Sequence, residues 1–165
     1  MGKNETAEER PTILVVDDDP VYRAICRARL AKHFDVVTAS GGEEAILHLS
    51  ERRPAAVLLD MCMPRVSGAD VLEYMNLFPA MRGVPVIVVS ASSIRGDIKK
   101  RLAGLSNLLD CVDKPRAVGR LVEVGMRAVM IGRLHQNTPK LLRGIRGAQE
   151  VLRHAEQAAE AVDRR

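Results

Sequence analysis

The side chains most able to do chemistry stand at the ends of apolar runs. The triplet Asp17-Asp18-Asp19 closes the run Thr12–Val16, and Asp60 closes the run Ala55–Leu59. Ser90 ends the run that starts at Val84, and Lys114 follows the stretch Leu108–Val112. Brought together without a cation, the carboxylates would repel. Two unit charges about 4 Å apart interact by roughly 4 kcal/mol at an effective dielectric near 20. A hard divalent cation relieves that repulsion, and an all-oxygen ligand set suits Mg²⁺. Mg²⁺ in turn binds phosphate oxygens and offsets charge in phosphoryl transfer. A lysine and a hydroxyl nearby can contact the remaining phosphoryl oxygens, and one carboxylate can act as nucleophile.

The elements that would position these groups can be read from patterning. The runs at Thr12–Val16, Ala55–Leu59 and Val84–Val89 are short and mostly β-branched, as expected of strands buried on both faces. Val36-Val37 and Leu108–Val112 are weaker strand signals. Between them, helical spacing covers Val21–Ala31, Glu43–Leu49, Ala69–Leu77, Ile94–Leu102 and Ala117–Ile131. Strand and helix alternate five times. That alternation predicts an α/β fold, with parallel strands, right-handed crossovers and helices on both faces. In such sheets ligands bind outside the carboxyl ends of the strands, which is where Asp17, Asp18, Asp60, Ser90 and Lys114 fall. Each also has a plainer role when taken alone. Asp19 before Pro20 is expected to cap a helix, Ser90 could be an ordinary strand-end hydroxyl, and Lys114 could be a solvated loop lysine. Cys26 reads as a small buried hydrophobe. The four histidines have no mutual spacing that suggests a metal site.

Four segments in order resemble the receiver domain of bacterial two-component response regulators. They are Ile13-Leu14-Val15-Val16-Asp17-Asp18-Asp19-Pro20, Asp60-Met61-Cys62-Met63-Pro64-Arg65-Val66-Ser67-Gly68, Val86-Ile87-Val88-Val89-Ser90-Ala91 and Asp113-Lys114-Pro115. Ala39-Ser40-Gly41-Gly42-Glu43-Glu44-Ala45 also looks like the family's second loop and helix start. The resemblance covers about residues 11 to 131. It implies a doubly wound, flavodoxin-like five-stranded parallel sheet of order 2-1-3-4-5, known from the family's chemotaxis member. It also implies Asp60 as phosphoacceptor, Asp18 as direct Mg²⁺ ligand, and Asp17 as the acid holding metal-bound water. The backbone carbonyl of Cys62 would be a further ligand, Ser90 the hydroxyl that senses the phosphoryl group, and Lys114 its oxygen partner. The Lys114–Pro115 peptide bond would be cis, a form accessible to X-Pro bonds. One departure stands out. Three places before the lysine the family usually carries an aromatic or His, and here that place is Cys111. Cysteine is too small to fill the space an aromatic ring would, so a different conformational readout is expected.

Three domain segments are expected: a disordered polar leader at 1–11, a receiver at 12–131 and a helical tail at 132–165. In the tail, Thr138-Pro139 reads as a helix start. Leu134, Leu141, Ala148, Ala155 and Val162 recur every seven residues, with a second series at Thr138, Ile145, Leu152 and Ala159. This heptad seam suits a homodimer through 138–162, packing on the receiver, or docking on a partner. Patterning alone does not choose among these. Gly144 and Gly147 weaken the helix by about 1 kcal/mol each relative to Ala.

Composition narrows the function classes. Aromatics make up 2% of the chain with no Trp, so stacking on nucleobases has little to work with. A net charge of +4 adds only weak preference for acidic partners. Three cysteines without metal-site spacing suit a reducing cytoplasm. No apolar run reaches the length of a membrane span. With the resemblance, the leading reading is a cytoplasmic signalling module, not an enzyme, expected to accept a phosphoryl group from a histidine kinase or histidine phosphotransfer protein and to signal by protein–protein interaction. Two alternatives are a haloacid-dehalogenase-like phosphatase using Asp17 and Asp19, and a nucleic-acid-binding regulator using the basic tail. The Asp60–Gly68 motif is unexplained by the first. The thin aromatic content and short tail disfavour the second.

Overall fold

The computed structural model describes residues 10–90, 107–114 and 117–138. The chain divides into two units, Met1–Gly132 and Arg133–Arg165. In the first, strands β1 (Thr12–Val16), β2 (Asp35–Ala39), β3 (Ala56–Leu59), β4 (Val86–Ser90) and β5 (Leu108–Asp113) form one sheet in the order β2-β1-β3-β4-β5. Every pairing is parallel. Helices α1 (Pro20–Leu30), α2 (Gly42–Glu51) and α3 (Gly68–Leu77) join successive strands, and a fourth, α4, covers 117–132.

Alternation along the strands decides which helix covers which face, because successive side chains point to opposite sides. Leu14, Val16, Val57, Leu59, Val86 and Val88 share one cluster with Ala45 and Leu49 of α2 and Val71, Leu72 and Met75 of α3. Ile13, Val15, Ala56, Leu58, Ile87 and Val89 share the other with Tyr22, Cys26 and Leu30 of α1 and Leu121, Val124 and Ala128 of α4. With both faces covered the central strands β1, β3 and β4 read as nearly unbroken apolar runs, while the edge strands β2 and β5 carry Asp35, Thr38, Asp110 and Asp113 and are partly exposed. Truncating a fully buried side chain in either layer, such as Leu58→Ala, would cost about 2–5 kcal/mol.

Local chemistry starts the helices where they are needed. Asp19 caps α1 by accepting from the Val21 N–H at 2.8 Å, and Pro20 occupies the first helical position. Ser67 and Asp70 form a reciprocal capping box at α3, the Ser67 N–H donating to Asp70 Oδ2 at 2.9 Å.

The last helical stretch corrects the sequence expectation. Residues 117–132 are helical, and the second unit is helical over its described residues 133–138. Thr138, expected as the N-cap of a new helix, already lies in a helix. Its hydroxyl donates to the Leu134 carbonyl at 2.8 Å, the back-bonding that lets Thr sit in a helix without an external partner. Gly132 lies within the helical stretch. A Cβ there would stand 2.9 Å from Pro85 Cδ and 3.2 Å from the Ala55 carbonyl oxygen, so its lack of a side chain serves close packing. The expected helix Ile94–Leu102, the leader up to residue 9, the Lys114–Pro115 bond and the tail from 139 lie outside the described residues.

Candidate functional site

Asp17, Asp18 and Asp60 do converge. One carboxylate oxygen from each lies within 4.8 Å of the others, with Asp17 and Asp60 buried and Asp18 exposed. The sheet register produces this meeting. Val16 and Leu59 are partners in the β1–β3 ladder, so the residue after each strand emerges at the same edge. The Asp17 N–H donates to the Ala39 carbonyl at 3.1 Å and the Asp60 N–H to the Val16 carbonyl at 2.9 Å, which continues the ladder and holds both acids in place.

Lys114, directly after β5, reaches across to both buried acids. Its Nζ lies 2.8 Å from Asp17 Oδ2 and 2.9 Å from Asp60 Oδ2. Burial works against the ammonium's charge, but the two carboxylates together outweigh it and hold Lys114 above its ordinary pKa. Burial pushes the Asp17 carboxyl above the usual aspartate value. Bonds from Lys114 and from the Asp19 N–H, at 3.0 Å, pull it only part of the way back. Ser90, 3% exposed, closes β4 and pairs in register with Asp113, the residue before Lys114. Cys62 is exposed, and its N–H donates to Asp60 Oδ1 at 3.3 Å.

The loop after Asp60 is shaped by two backbone features. Arg65 adopts a left-handed conformation at φ 65, which turns the chain back toward α3. Gly68 then lies so close to β3 that an added Cβ would stand 2.2 Å from the Asp60 carbonyl oxygen.

Three contributors were not legible in the spacing. The Arg23 guanidinium donates to the Asp17 carbonyl at 2.6 Å. Gly68 sets the approach of α3. Tyr22, 7% exposed, places its ring under Lys114 with 5.0 Å from Nζ to the ring centroid. Its i, i+4, i+8 spacing with Cys26 and Leu30 marks a core stripe, and only the Asp19 cap, which sets the phase of α1, hinted that the stripe begins at the acidic edge. Burial raises the Tyr22 hydroxyl beyond its ordinary range and the Cys26 thiol to about 11, so both stay protonated. Cys111 is exposed on β5, opposite Val88.

A sequence model of the response regulator receiver domain matches residues 13–124. The chain belongs to this family. It is 36% identical over 120 residues to the transcriptional regulatory protein PrrA of Mycobacterium tuberculosis, covering 72% of this chain and 49% of that protein. The chain thus spans about half the length of the curated relatives it matches. Among solved structures, a response regulator receiver protein from Pseudomonas putida superposes with a TM-score of 0.64 at 29% identity, covering 72% of this chain and 97% of that one. The signal receiver domain of a Luxo repressor protein from Vibrio parahaemolyticus gives a TM-score of 0.69 at 23% identity, covering 78% and 97%. That second likeness concerns the fold alone. The family is one of signalling domains. Among the described residues of this receiver no helix is long and apolar enough to cross a membrane.

Proposed function

We propose that this receiver takes a phosphoryl group on Asp60 and carries a two-component signal in the cytoplasm. The observation that carries the reading is the joint placement of three carboxylates and one ammonium at a single strand edge, with Asp60 Oδ2 held 2.9 Å from Lys114 Nζ. The donor set fits a hard cation. It is all oxygen, and Asp17 is left above its ordinary pKa by burial that one lysine only partly offsets. Asp17, Asp18 and Asp60 would hold Mg²⁺ with the Cys62 carbonyl, and bound there it would neutralise charge gathering on the phosphoryl oxygens. The chain's own groups do the rest. Asp60 supplies the attacking oxygen. Lys114 keeps Asp17 and Asp60 together before transfer and a phosphoryl oxygen in place afterwards. Ser90 stands at the end of β4, where a hydroxyl can follow the new group.

The donor is a histidine kinase or histidine phosphotransfer protein, and the output is contact with another protein. The added charge of roughly −1.5 to −2 biases a two-state surface. With Cys111 in the switch place, that surface responds without an inward-swinging ring from β5. The dimer seam at 138–162 lies outside the described residues beyond Thr138. A phosphatase using Asp17 and Asp19 gains no support, because the Asp19 carboxylate caps α1 on Val21 and is not offered as a general acid.

The test is intact-protein mass after incubation with phosphoramidate and Mg²⁺. One phosphoryl group should appear on the wild type and none on Asp60→Asn. Labelling of Asp60→Asn equal to wild type would overturn the assignment.

A further inference from the structure

The ring beneath Lys114 has no part in the chemistry described so far. Lysine carries its charge on a flexible four-carbon stem, and the Lys114 side chain is 16% exposed, so something must fix where its Nζ stands. Two carboxylates do so in this structure. Phosphoryl transfer disturbs one of them. The phosphorus–oxygen bond to Asp60 forms as the bond from phosphorus to the donor breaks, and Lys114 must then exchange Asp60 for a phosphoryl oxygen. Asp17 holds the ammonium from one side throughout. Among the described residues, the other contact that does not depend on the state of Asp60 is the face of Tyr22, 5.0 Å from Nζ to the centroid.

We propose that Tyr22 is a positioning residue for Lys114, its ring holding the ammonium over the acidic pair while Asp60 changes from carboxylate to acyl phosphate. This rests on the Asp60 reading above. A ring suits the task. It attracts the cation through its face, does not compete for the proton, and excludes water from that side of the site. Its position is firm, because Tyr22 is the third residue of a helix capped at Asp19 and packs in the core layer between sheet, α1 and α4. The hydroxyl contributes nothing to this. Among the described residues it is buried without a hydrogen-bond partner of ordinary geometry, and its polar neighbour one turn along is the Cys26 thiol, a weak one. The ring alone therefore accounts for the role, and phenylalanine should serve as well.

The experiment measures phosphoryl incorporation into the full chain from phosphoramidate with Mg²⁺. The phosphoryl group passes to an Asp60 carboxylate oxygen as the phosphorus–nitrogen bond breaks, and the nitrogen, already protonated in zwitterionic phosphoramidate, leaves as ammonia with the bonding pair. Tyr22→Leu and Tyr22→Met should react about tenfold more slowly, and Tyr22→Phe should restore the rate. On a Lys114→Met background, Tyr22→Leu should change the residual rate less than twofold, because a ring with no ammonium to hold has no effect to lose. Equal losses in both backgrounds, or wild-type rates for Leu and Met, overturn the proposal. Urea unfolding of the wild type, Tyr22→Leu, Lys114→Met and the double variant reads the contact without any transfer, and absence of coupling between the two substitutions there also overturns it. Coupling in unfolding together with no label on the wild type would instead overturn the Asp60 reading, and with it the ring's part in transfer.

Discussion

Gly68→Ala tests whether the acceptor loop is placed by backbone contact. A methyl at this position would stand 2.2 Å from the Asp60 carbonyl oxygen, 2.9 Å from Met61 Cα and 3.0 Å from the Asp60 carbonyl carbon. All three are backbone atoms, so no rotamer change relieves them. Going from 2.2 Å to an ordinary 3.4 Å contact moves the start of α3 away from the end of β3 by about 1.2 Å. The Gly68 N–H also bonds the Met61 carbonyl at 3.3 Å, a long bond that this shift would break. Overpacking of this kind costs about 1–3 kcal/mol and the lost hydrogen bond about 1. Alanine's better helix propensity returns about 1. The net loss is then about 1–3 kcal/mol, or roughly 1 M in urea midpoint for a protein of this size. The catalytic consequence is larger, since a displacement near 1 Å at reacting atoms costs on the order of 100-fold in rate. The assays are urea unfolding and the initial rate of labelling by phosphoramidate with Mg²⁺. Gly41→Ala is the control, because nothing lies within 4 Å of a Cβ there. It should keep the wild-type labelling rate and lose no more than about 1 kcal/mol, the size of an N-cap change at the start of α2. A Gly68→Ala protein with wild-type midpoint and wild-type rate would refute the argument.

The capping box at α3 predicts that Ser67→Ala loses about 1 kcal/mol in the same unfolding assay. Glu44 accepts from the Ser40 N–H at 2.7 Å and the Ser40 hydroxyl at 2.6 Å, and these bonds lower its pKa below the ordinary 4.5. Its contribution is therefore present above about pH 4.5 and disappears as the pH falls through the lowered value. Because its side chain is 44% exposed, Glu44→Gln should cost only about 0.5 kcal/mol at pH 7 after screening. The two stability curves should merge in acid, and a constant gap would contradict the cause. Mg²⁺ at a hundred times its Kd should add about 2.7 kcal/mol of stability. Asp18→Asn should remove most of that gain while leaving metal-free stability unchanged, since Asp18 is exposed. An undiminished Mg²⁺ response in the variant would take Asp18 out of the metal site.

Parallel strands, their number and the edge at which chemistry gathers were all legible in the sequence. Buried strands must be apolar on both faces, and the first acid, hydroxyl or lysine after such a run must lie at its end. Asp17, Asp60, Ser90 and Lys114 were found this way, and the Asp19 cap followed from its place before Pro20. The sequence also carried the family resemblance, because ordered motifs survive without coordinates. What depends on two distant segments meeting was not legible. Gly68 appeared only as the last residue of a motif, and its packing role shows in the approach of α3 to the Asp60 carbonyl. The packing of Gly132 against Pro85 and Ala55 had no signal in its neighbours along the chain. Thr138 is a local miss of another kind: its place before Pro139 suggested a beginning, yet its hydroxyl closes a helical turn on Leu134 four residues back. Tyr22 went unremarked, since periodicity reports that a side chain faces inward and is silent on which charge it will meet. Local preference and alternation act over a few residues and are written in the chain. Close approach and cross-sheet pairing are set by how layers stack, and only the tertiary structure decided them.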